Sequence, residues 1–249
     1  MKVVALHSTV LKLSPLQSGE LSEGEKWNFS QGDCKDIYAC EVAHSHWRLH
    51  LVEPVADYRQ LYVYPPHCEL VEGEGELSLP PSVTLDVPYK SQLDNRFNPT
   101  GACNVTSLAM CLEYLGAERR TRAGQFEDEL YEYAIANGYS RHSPYDLAQI
   151  ARDYGVRDRF FEAGNIDRIR AWVAAGNPNI IHGYFTDFGH IIVVVGYDEY
   201  GLIVHDPYGE WFASGYRTDL SGAFLHYSYS LIRRLCMPDG NLWTHYLSR

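Results

Sequence analysis

The sequence lacks three features that would each point to a class of function. No stretch approaches the roughly 18 apolar residues of a membrane span, and the apolar run at residues 3–6 is too short for a signal peptide. Positive charge is scarce: the net charge is -11, which disfavours nucleic acid or an anionic membrane as a partner. We expect a cytoplasmic protein, with export by another route or packaging in a phage particle left open.

Cysteine is also sparse, and six cysteines in 249 residues are too few for a disulfide framework. Three of them, together with three histidines, fall near the start of the chain and could gather a metal ion, but their spacing matches no zinc pattern. We therefore favour thiols and imidazoles on strands, keep a metal site as the minor alternative, and expect no cofactor. These residues are Cys34, Cys40, Cys68, His44, His46 and His67.

Short alternating apolar runs dominate the front of the chain, with turn residues between them. This period-two pattern predicts a small antiparallel sheet or barrel, and its layout resembles a bacterial SH3-like barrel. An acidic, glycine-containing stretch that ends in two prolines is typical of a linker. We therefore predict a binding or bracing domain over residues 1–72, a linker over 73–83, and a second domain over 84–249.

The second domain shows helical periodicity first and strand patterns afterwards, which predicts an α+β fold. Capping residues mark the helix ends, such as Ser143 followed by proline at one start and Gly138 after another end. The predicted helices cover 101–115, about 125–137, about 143–154 and about 166–175, and the predicted strands cover 179–185, 190–197 and 202–206.

Cys103 is the candidate nucleophile because of its position on the first predicted helix. It lies in the first turn, directly after Gly101 and Ala102. A helix N-terminus carries about half a positive charge, which favours the thiolate over the thiol. Gly101 would allow a substrate backbone to approach closely. By itself a cysteine on an apolar helix is more often a buried structural residue, so the assignment needs a base.

A histidine and an aspartate on two successive strands supply that base and its partner. His190 is the first residue of a strand that is apolar on both faces. Its imidazole is the polar group at that end of the strand, and an imidazole is suited to act as a general base. If Tyr197 pairs with Gly201 across a three-residue turn, Asp206 lies opposite Ile192 and diagonal to His190. Diagonal neighbours are about 7–8 Å apart. The Asp206 carboxylate can therefore hold the imidazole in the required tautomer.

Gln92 is the candidate for stabilising an oxyanion. Acyl chemistry at a thiol needs hydrogen-bond donors directed at the developing negative charge. The Gln92 amide and the backbone N–H of Cys103 would provide two such donors. A single glutamine is weak evidence, but a glutamine before a cysteine at a helix start, followed by His190 and Asp206 in that order, is much more specific.

Four segments together resemble the papain-like cysteine peptidases, over about residues 85–210 and in that family's order. The closest branch is related to the bacteriocin-processing peptidases, which cut after double-glycine leaders. The resemblance implies a papain-like peptidase domain in which Gln92 serves the oxyanion hole, Cys103 attacks, His190 is the base and Asp206 orients it. The segments are Val87-Pro88-Tyr89 through Gln92, Cys103 with Thr106-Ser107-Leu108-Ala109-Met110, Gly189-His190 with Gly196-Tyr197, and His205-Asp206-Pro207-Tyr208-Gly209.

Two departures from the family weigh against a double-glycine substrate. Asn104-Val105 stands where many relatives have glycine and proline, and the membrane exporter to which leader peptidases are commonly fused has no counterpart here. The hydrolytic residues are unaffected. We expect Gly101, Gly189, Tyr208 and Trp211 to contact substrate, although Tyr208 and Trp211 are equally consistent with plain packing.

Hydrolysis of a peptide or another amide bond through a Cys103 thioester is the leading hypothesis. Acyl transfer to an amine, as in a transpeptidase or a phytochelatin-synthase-like enzyme, would use the same residues, as would cleavage of peptidoglycan. A silent peptide-binding module is the non-enzymatic alternative. The sequence does not indicate the oligomeric state. Five further residues are predicted to be structural or solvated: Cys111, His182, Asp187, Asp198 and His205.

Overall fold

A computed structural model describes residues 1–71, 79–121 and 124–249. The chain divides into two units, Met1–Leu79 and Pro80–Arg249, and each is described separately below. Most of the predicted linker 73–83 lies outside the described residues. Within the described segments, no helix has both the length and the apolar character needed to cross a membrane.

Seven antiparallel strands form one sheet in the first unit, in the order β3-β2-β6-β5-β4-β1-β7. The all-β prediction is therefore confirmed for this unit. The closed SH3-like barrel is not observed, because β3 and β7 stand at opposite ends of the sheet and no pairing joins them in the described part of the chain. The strands are β1 (Lys2–Ala5), β2 (Thr9–Lys12), β3 (Lys26–Phe29), β4 (Cys34–Ala43), β5 (His46–Val55), β6 (Tyr58–Val63) and β7 (Cys68–Val71).

The cysteines and histidines of the first unit do not gather into a metal site. No group of three or more metal-ligating side chains occurs among the residues that the structure describes. Nζ of Lys12 lies 2.8 Å from Nε2 of His46, so that nitrogen already has a hydrogen-bonding partner. Burial raises the pKa of Cys40 and of Cys68 to about 11, which disfavours the thiolates that a metal would need.

Helices, one main antiparallel sheet and a two-stranded hairpin make up the second unit, which confirms the prediction of a mixed helix and sheet fold. The main sheet has the order β15-β12-β11-β10-β16-β9, β8 also pairs with β11, and β13 and β14 form a separate hairpin. The elements are β8 (Val83–Thr84), α1 (Cys103–Tyr114), α2 (Phe126–Ala136), α3 (Pro144–Asp153), β9 (Arg157–Gly164), α4 (Ile166–Ala174), β10 (Asn179–Gly183), β11 (His190–Tyr197), β12 (Gly201–His205), β13 (Glu210–Phe212), β14 (Gly215–Arg217), β15 (Leu225–Ser228), α5 (Tyr229–Cys236) and β16 (Leu242–Ser248).

All four predicted helices form, and their ends lie within two residues of the predicted ends. The side chains of Ser143 and Asn165 accept hydrogen bonds from the backbone at the starts of α3 and α4, as their sequence positions indicate. Several elements of the second unit have no counterpart in the sequence-based prediction, among them β8, β9, β13, β14, β15 and α5. Residues 104–112 of α1 are buried on every face, because α1 packs against β10, β11, α2 and α3.

The turn between β11 and β12 differs from the predicted register. Tyr197 pairs with Leu202 rather than with Gly201. The reason is local: the side chain of Asp198 accepts hydrogen bonds from the backbone N–H groups of Tyr200 and Gly201, which draws both into the turn.

A bulge at Val195 then corrects the register. Beyond it Val193 pairs with His205, which is the alignment the sequence predicts for this part of the hairpin. A bulge adds one residue to one strand and so shifts the pairing by one position. The turn and the bulge each shift the strand pairing by one residue, in opposite directions. Asp206 therefore lies beside His190, as the sequence predicts.

Candidate active site

The start of α1 places a half-buried thiol beside unsatisfied backbone donors. A turn in which the N–H of Gly101 donates to the carbonyl of Asn98 brings the chain to Ala102, and the helix begins at Cys103. The first N–H groups of a helix have no partner inside it and carry partial positive charge. The predicted position of Cys103 at a helix start is therefore observed.

The thiol of Cys103 is hydrogen-bonded to His190 and also to the backbone of Ile191. Burial by itself would raise the pKa of Cys103, but the charge of His190 and these two hydrogen bonds outweigh it and lower the pKa below the ordinary value. The arrangement favours a thiolate at Cys103.

His190 lies between the thiol and a carboxylate. Its Nε2 is 2.8 Å from Oδ1 of Asp206, and both side chains are buried. Burial would lower the pKa of His190, but the negative charges of Asp206 and Cys103 raise it well above its ordinary value. Since Nε2 faces Asp206, Nδ1 is the nitrogen left for Cys103. The structure thus brings together Cys103, His190 and Asp206.

Asp206 is held by more donors than the sequence indicated. Oδ1 accepts from His190 and from the backbone N–H of Tyr208, at 3.0 Å. Oδ2 accepts from the hydroxyl of Tyr216 at 2.8 Å and from that of Tyr227 at 3.2 Å. Four donors stabilise the ionised carboxylate in a buried position. Tyr216 and Tyr227 were missed because nothing local in the sequence links them to Asp206.

The backbone around Asp206 is fixed by a glycine and a tyrosine. The N–H of Asp206 donates to the carbonyl of Gly222, and a Cβ on Gly222 would lie only 1.8 Å from the carbonyl oxygen of Asp206. The hydroxyl of Tyr89 donates to that same oxygen at 3.2 Å. Only glycine therefore fits at position 222. Tyr89 helps to fix the backbone at Asp206 through this hydrogen bond.

Gln92 is buried beside the turn that leads to Cys103. Its Nε2 donates to the carbonyl of Pro99 at 2.9 Å, and its backbone N–H donates to the carbonyl of Pro207 at 2.8 Å. The first bond orients the amide, and the second ties this segment to the residue after Asp206. One N–H of the side-chain amide remains for another acceptor.

The hydroxyls of Thr106 and Ser107 fasten α1 to both sides of the site. Oγ1 of Thr106 donates to the carbonyl of Ala102 and accepts from Nδ2 of Asn95, each at 2.9 Å. Oγ of Ser107 donates to the carbonyl of Ile191 at 3.2 Å. These bonds connect the helix that begins at Cys103 with the Gln92 segment and with β11.

The two glycines predicted to contact substrate have distinct surroundings. The carbonyl of Gly101 accepts from Nη1 of Arg141 at 2.7 Å, so a guanidinium group that the sequence did not indicate binds the turn that leads to Cys103. Gly189 has φ of +81°, a conformation that favours glycine immediately before His190.

Tyr208 and Trp211 belong to an aromatic group around His190. The ring of Tyr208 lies 6.2 Å from that of His190 and 5.0 Å from that of Tyr216. Nε1 of Trp211 donates to the carbonyl of Phe185 at 2.9 Å, and Phe185 in turn packs against His190 at 6.1 Å. Trp211 thus reaches the site through Phe185.

The remaining candidates take structural positions. Cys111 is fully buried, and burial raises the pKa of its thiol. Nε2 of His205 lies 2.8 Å from the carbonyl of Val87, while its Nδ1 accepts from the N–H of Phe224. Asp187 is exposed. His182 is hydrogen-bonded to a second histidine, which the sequence did not indicate.

These features define a class: a thiol, an imidazole and a carboxylate in series, with the thiol at a helix start, the imidazole at the start of β11 and the carboxylate directly after β12. The chain also matches the family model described as the Peptidase_C39 like family, over residues 84–237, which is more than half of its length. It therefore belongs to the Peptidase_C39 like family, whose members are of the cysteine-peptidase type.

Two solved structures are similar to this chain. One is a double glycine motif protease from an AMS/PCAT transporter, in complex with the leader peptide, with 16% identity, a TM-score of 0.40, and coverage of 65% of this chain and 91% of that one. The other, from Bacillus anthracis, is described as a C39-like peptidase, with 18% identity, a TM-score of 0.45, and coverage of 68% and 98%. A search of curated proteins finds no match.

Proposed function

We propose that this protein is a cysteine hydrolase that cleaves a peptide or related amide bond, with Cys103 as nucleophile, His190 as acid and base, and Asp206 as the group that orients His190. The hydrogen-bonded series of these three side chains carries the proposal. Membership of a peptidase family supports the same class of reaction. We assign catalysis to the domain at 84–249, and we propose that its substrate is a peptide.

The first half of the reaction forms a thioester. The thiolate of Cys103 attacks the carbonyl carbon, a C–S bond forms, and the π electrons move to the oxygen. The backbone N–H of Cys103 and the remaining amide N–H of Gln92 donate to this oxyanion. His190, which is protonated, gives its proton to the amide nitrogen as the C–N bond breaks. The amine product leaves.

The second half regenerates the thiolate. His190 takes a proton from a water molecule, whose oxygen attacks the thioester carbonyl. The C–S bond breaks, the acid product leaves, and Cys103 is again a thiolate beside a protonated His190. Asp206 keeps Nδ1 of His190 directed at the reacting atoms throughout, because its carboxylate holds Nε2.

Alkylation by iodoacetamide tests the nucleophile. We expect rapid modification confined to Cys103, and loss of that rapid phase in His190→Ala, because the lowered thiol pKa depends on His190. Mass spectrometry of the same digest provides an internal control in Cys34, an exposed cysteine outside the site. Slow and uniform alkylation of all six cysteines would rule out Cys103 as an activated nucleophile.

Digestion of a peptide library tests the reaction. We expect wild-type protein to cleave and folded Cys103→Ala to be inactive. Equal rates for the two proteins would exclude the thiol mechanism. Repeating the digest with an added amine separates hydrolysis from acyl transfer, since a transferase would yield amide products. Retention of uncleaved peptides by the wild-type protein would indicate a binding module.

A further inference from the structure

A cavity lies directly beside His190, and the proposed chemistry does not use it. Its volume is about 430 Å³, within the usual range for ligand pockets. Gly189 and His190 both line it, so a group bound in the cavity lies next to the proposed base. Among the described residues that line it, none is a lysine or an arginine.

Three aromatic side chains that line this cavity are left open to solvent. Phe188 is fully exposed, Tyr184 is 65% exposed and Trp243 is 41% exposed. Single exposed rings are common on protein surfaces, but several around one cavity are typical of a binding site. The face of an aromatic ring is negative and attracts cations. The three rings are therefore suited to a ligand that is apolar, cationic or both.

A hydrogen-bonded turn holds Phe188 in its exposed position. The N–H of Gly189 donates to the carbonyl of Thr186 at 3.1 Å, and Oγ1 of Thr186 donates to the carbonyl of Gly189 at 2.8 Å. Polar residues are the usual occupants of such turns, and Asp187 fits that pattern. The turn thus presents a phenylalanine to solvent immediately before the strand that begins at His190.

The wall of the cavity also carries a carboxylate. Oδ1 of Asp239 accepts from the backbone N–H of Asn241 at 3.0 Å, and its Oδ2 accepts from Nδ2 of Asn241 at 3.4 Å. These hydrogen bonds lower the pKa of Asp239, so its side chain is negative near pH 7. Because both residues line the cavity, the negative charge is held at its wall.

The other titratable groups of the wall do not offset this charge. Burial lowers the pKa of His182 to about 3, so its ring is neutral near pH 7, and burial raises the pKa of Cys236, so its thiol stays protonated. His190 is protonated, but Cys103 and Asp206 set two negative charges against that single positive one. The surroundings of the cavity are therefore negative as well as aromatic.

We propose that this cavity is a substrate subsite for a basic side chain, a lysine or an arginine, with its cation among the three rings and beside the carboxylate of Asp239. Both side chains have an apolar stem that packs against rings below the charged group. The subsite rests on the proposed function in one respect. Because His190 lines the same cavity, the basic side chain is assigned to a substrate residue near the scissile bond.

Small probes without an amide bond test the subsite independently of cleavage. Full-length wild-type protein labelled with ¹⁵N-tryptophan is titrated at low salt with butylammonium, 1-butanol and butanoate, which are similar in size and differ in charge. The indole N–H resonance of Trp243, identified by its loss in Trp243→Phe, reports binding. We expect butylammonium to bind about three- to tenfold more tightly than 1-butanol, as for a cation–π contact with an exposed ion pair, and butanoate to bind most weakly. Equal affinity for all three probes would overturn the proposal.

Two variants and a matched control locate the bound cation. Asp239→Asn keeps acceptor capacity for Asn241 and removes the charge, so the preference for butylammonium over 1-butanol should fall severalfold. Asp167→Asn removes the same charge from an exposed position outside the cavity and should retain the preference. If Asp239→Asn does not fold, Phe188→Leu replaces only an exposed ring and should weaken butylammonium more than 1-butanol. An unchanged preference in either cavity variant that folds would also refute the subsite.

Quenched peptides that differ only in lysine or norleucine near the scissile bond connect the subsite with turnover. Norleucine keeps the apolar stem and lacks the charge. We expect lysine to lower KM severalfold with kcat unchanged, and Asp239→Asn to remove the difference. Cleavage without any such preference would contradict the assignment to a substrate side chain. If no peptide is cleaved, the proposed function fails, and the titration with small probes still decides whether the subsite exists.

Discussion

At the scale of the residue, the charge state of Cys103 depends on a balance between burial and its partners. Burial opposes the thiolate, while His190 and the backbone of Ile191 favour it, and the partners prevail. His190 is in turn kept charged by Asp206 against the effect of its own burial. Each group is therefore ionised because the next one is in place.

The pH dependence of alkylation follows from this balance. Because the pKa of Cys103 is lowered from its usual value of 9.0, its thiolate persists as the pH falls below 9, down to the lowered pKa. We expect its alkylation rate to stay near its plateau over that range, while the rate for free glutathione falls about tenfold per pH unit. Parallel profiles for Cys103 and glutathione would contradict the lowered pKa.

The hydrogen bond from the hydroxyl of Tyr216 to Asp206 contributes to stability, and this contribution can be separated from that of the ring. Tyr216→Phe keeps the ring that packs edge-on against His190 at 5.4 Å and removes only the donor to Oδ2 of Asp206. We expect the free energy of unfolding to fall by about 1.5–3 kcal/mol, as for a hydrogen bond to a charged group. Tyr184→Phe, at an exposed tyrosine of the same unit, is the control. Identical denaturation midpoints in urea for Tyr216→Phe and wild type would argue against this role.

At the scale of the element, the β11–β12 hairpin sets the position of His190 relative to Asp206. The Asp198 turn moves the pairing by one residue and the bulge at Val195 moves it back. Gly196, next to the bulge, lies so close to β8 that an added Cβ would be 2.5 Å from the carbonyl oxygen of Val83. The hairpin therefore requires glycine at this position.

Gly196→Ala should disturb both the packing and the site. We expect a loss of about 1–3 kcal/mol in the free energy of unfolding, as for an overpacked core, and slower alkylation of Cys103 as β11 shifts. Gly24→Ala is the control, since an added Cβ there meets nothing within 4 Å. Wild-type stability and alkylation in Gly196→Ala would show that β8 yields to the methyl group.

At the scale of the whole molecule, every residue of the proposed site lies in the second unit, and the first unit has a core of its own. Leu49 is fully buried in that first core, and Leu108 is fully buried in α1. The two leucines are thus matched in burial and differ in the unit that they stabilise.

Leu49→Ala and Leu108→Ala should separate the two units. Each change should cost about 2–5 kcal/mol in the unit that contains it, because it leaves a cavity. We expect Leu49→Ala to leave the alkylation rate of Cys103 unchanged and Leu108→Ala to alter it, both measured at 25 °C in the full chain. A changed rate in Leu49→Ala would mean that the site depends on the first unit.

Local sequence patterns were enough to predict where the main residues of the candidate site lie on helices and strands. Glycine and helical periodicity located Cys103 at a helix start, and strand alternation predicted that Asp206 would lie diagonal to His190. Helix ends were predictable because capping residues act on neighbouring N–H groups. The turn register was wrong, since the Asp198 side chain competes with strand pairing.

Only the tertiary structure decided which distant residues meet. Tyr216 and Tyr227 bind Asp206 from strands outside the hairpin that carries it. Asp158 and His245 are 87 positions apart in the chain and still form one hydrogen-bonded pair. Periodicity and capping report on neighbours within a few residues, whereas such contacts depend on the order of strands in a sheet. The sequence by itself therefore determined the candidate nucleophile, the candidate base and the carboxylate that orients it, and the fold determined how these groups are held.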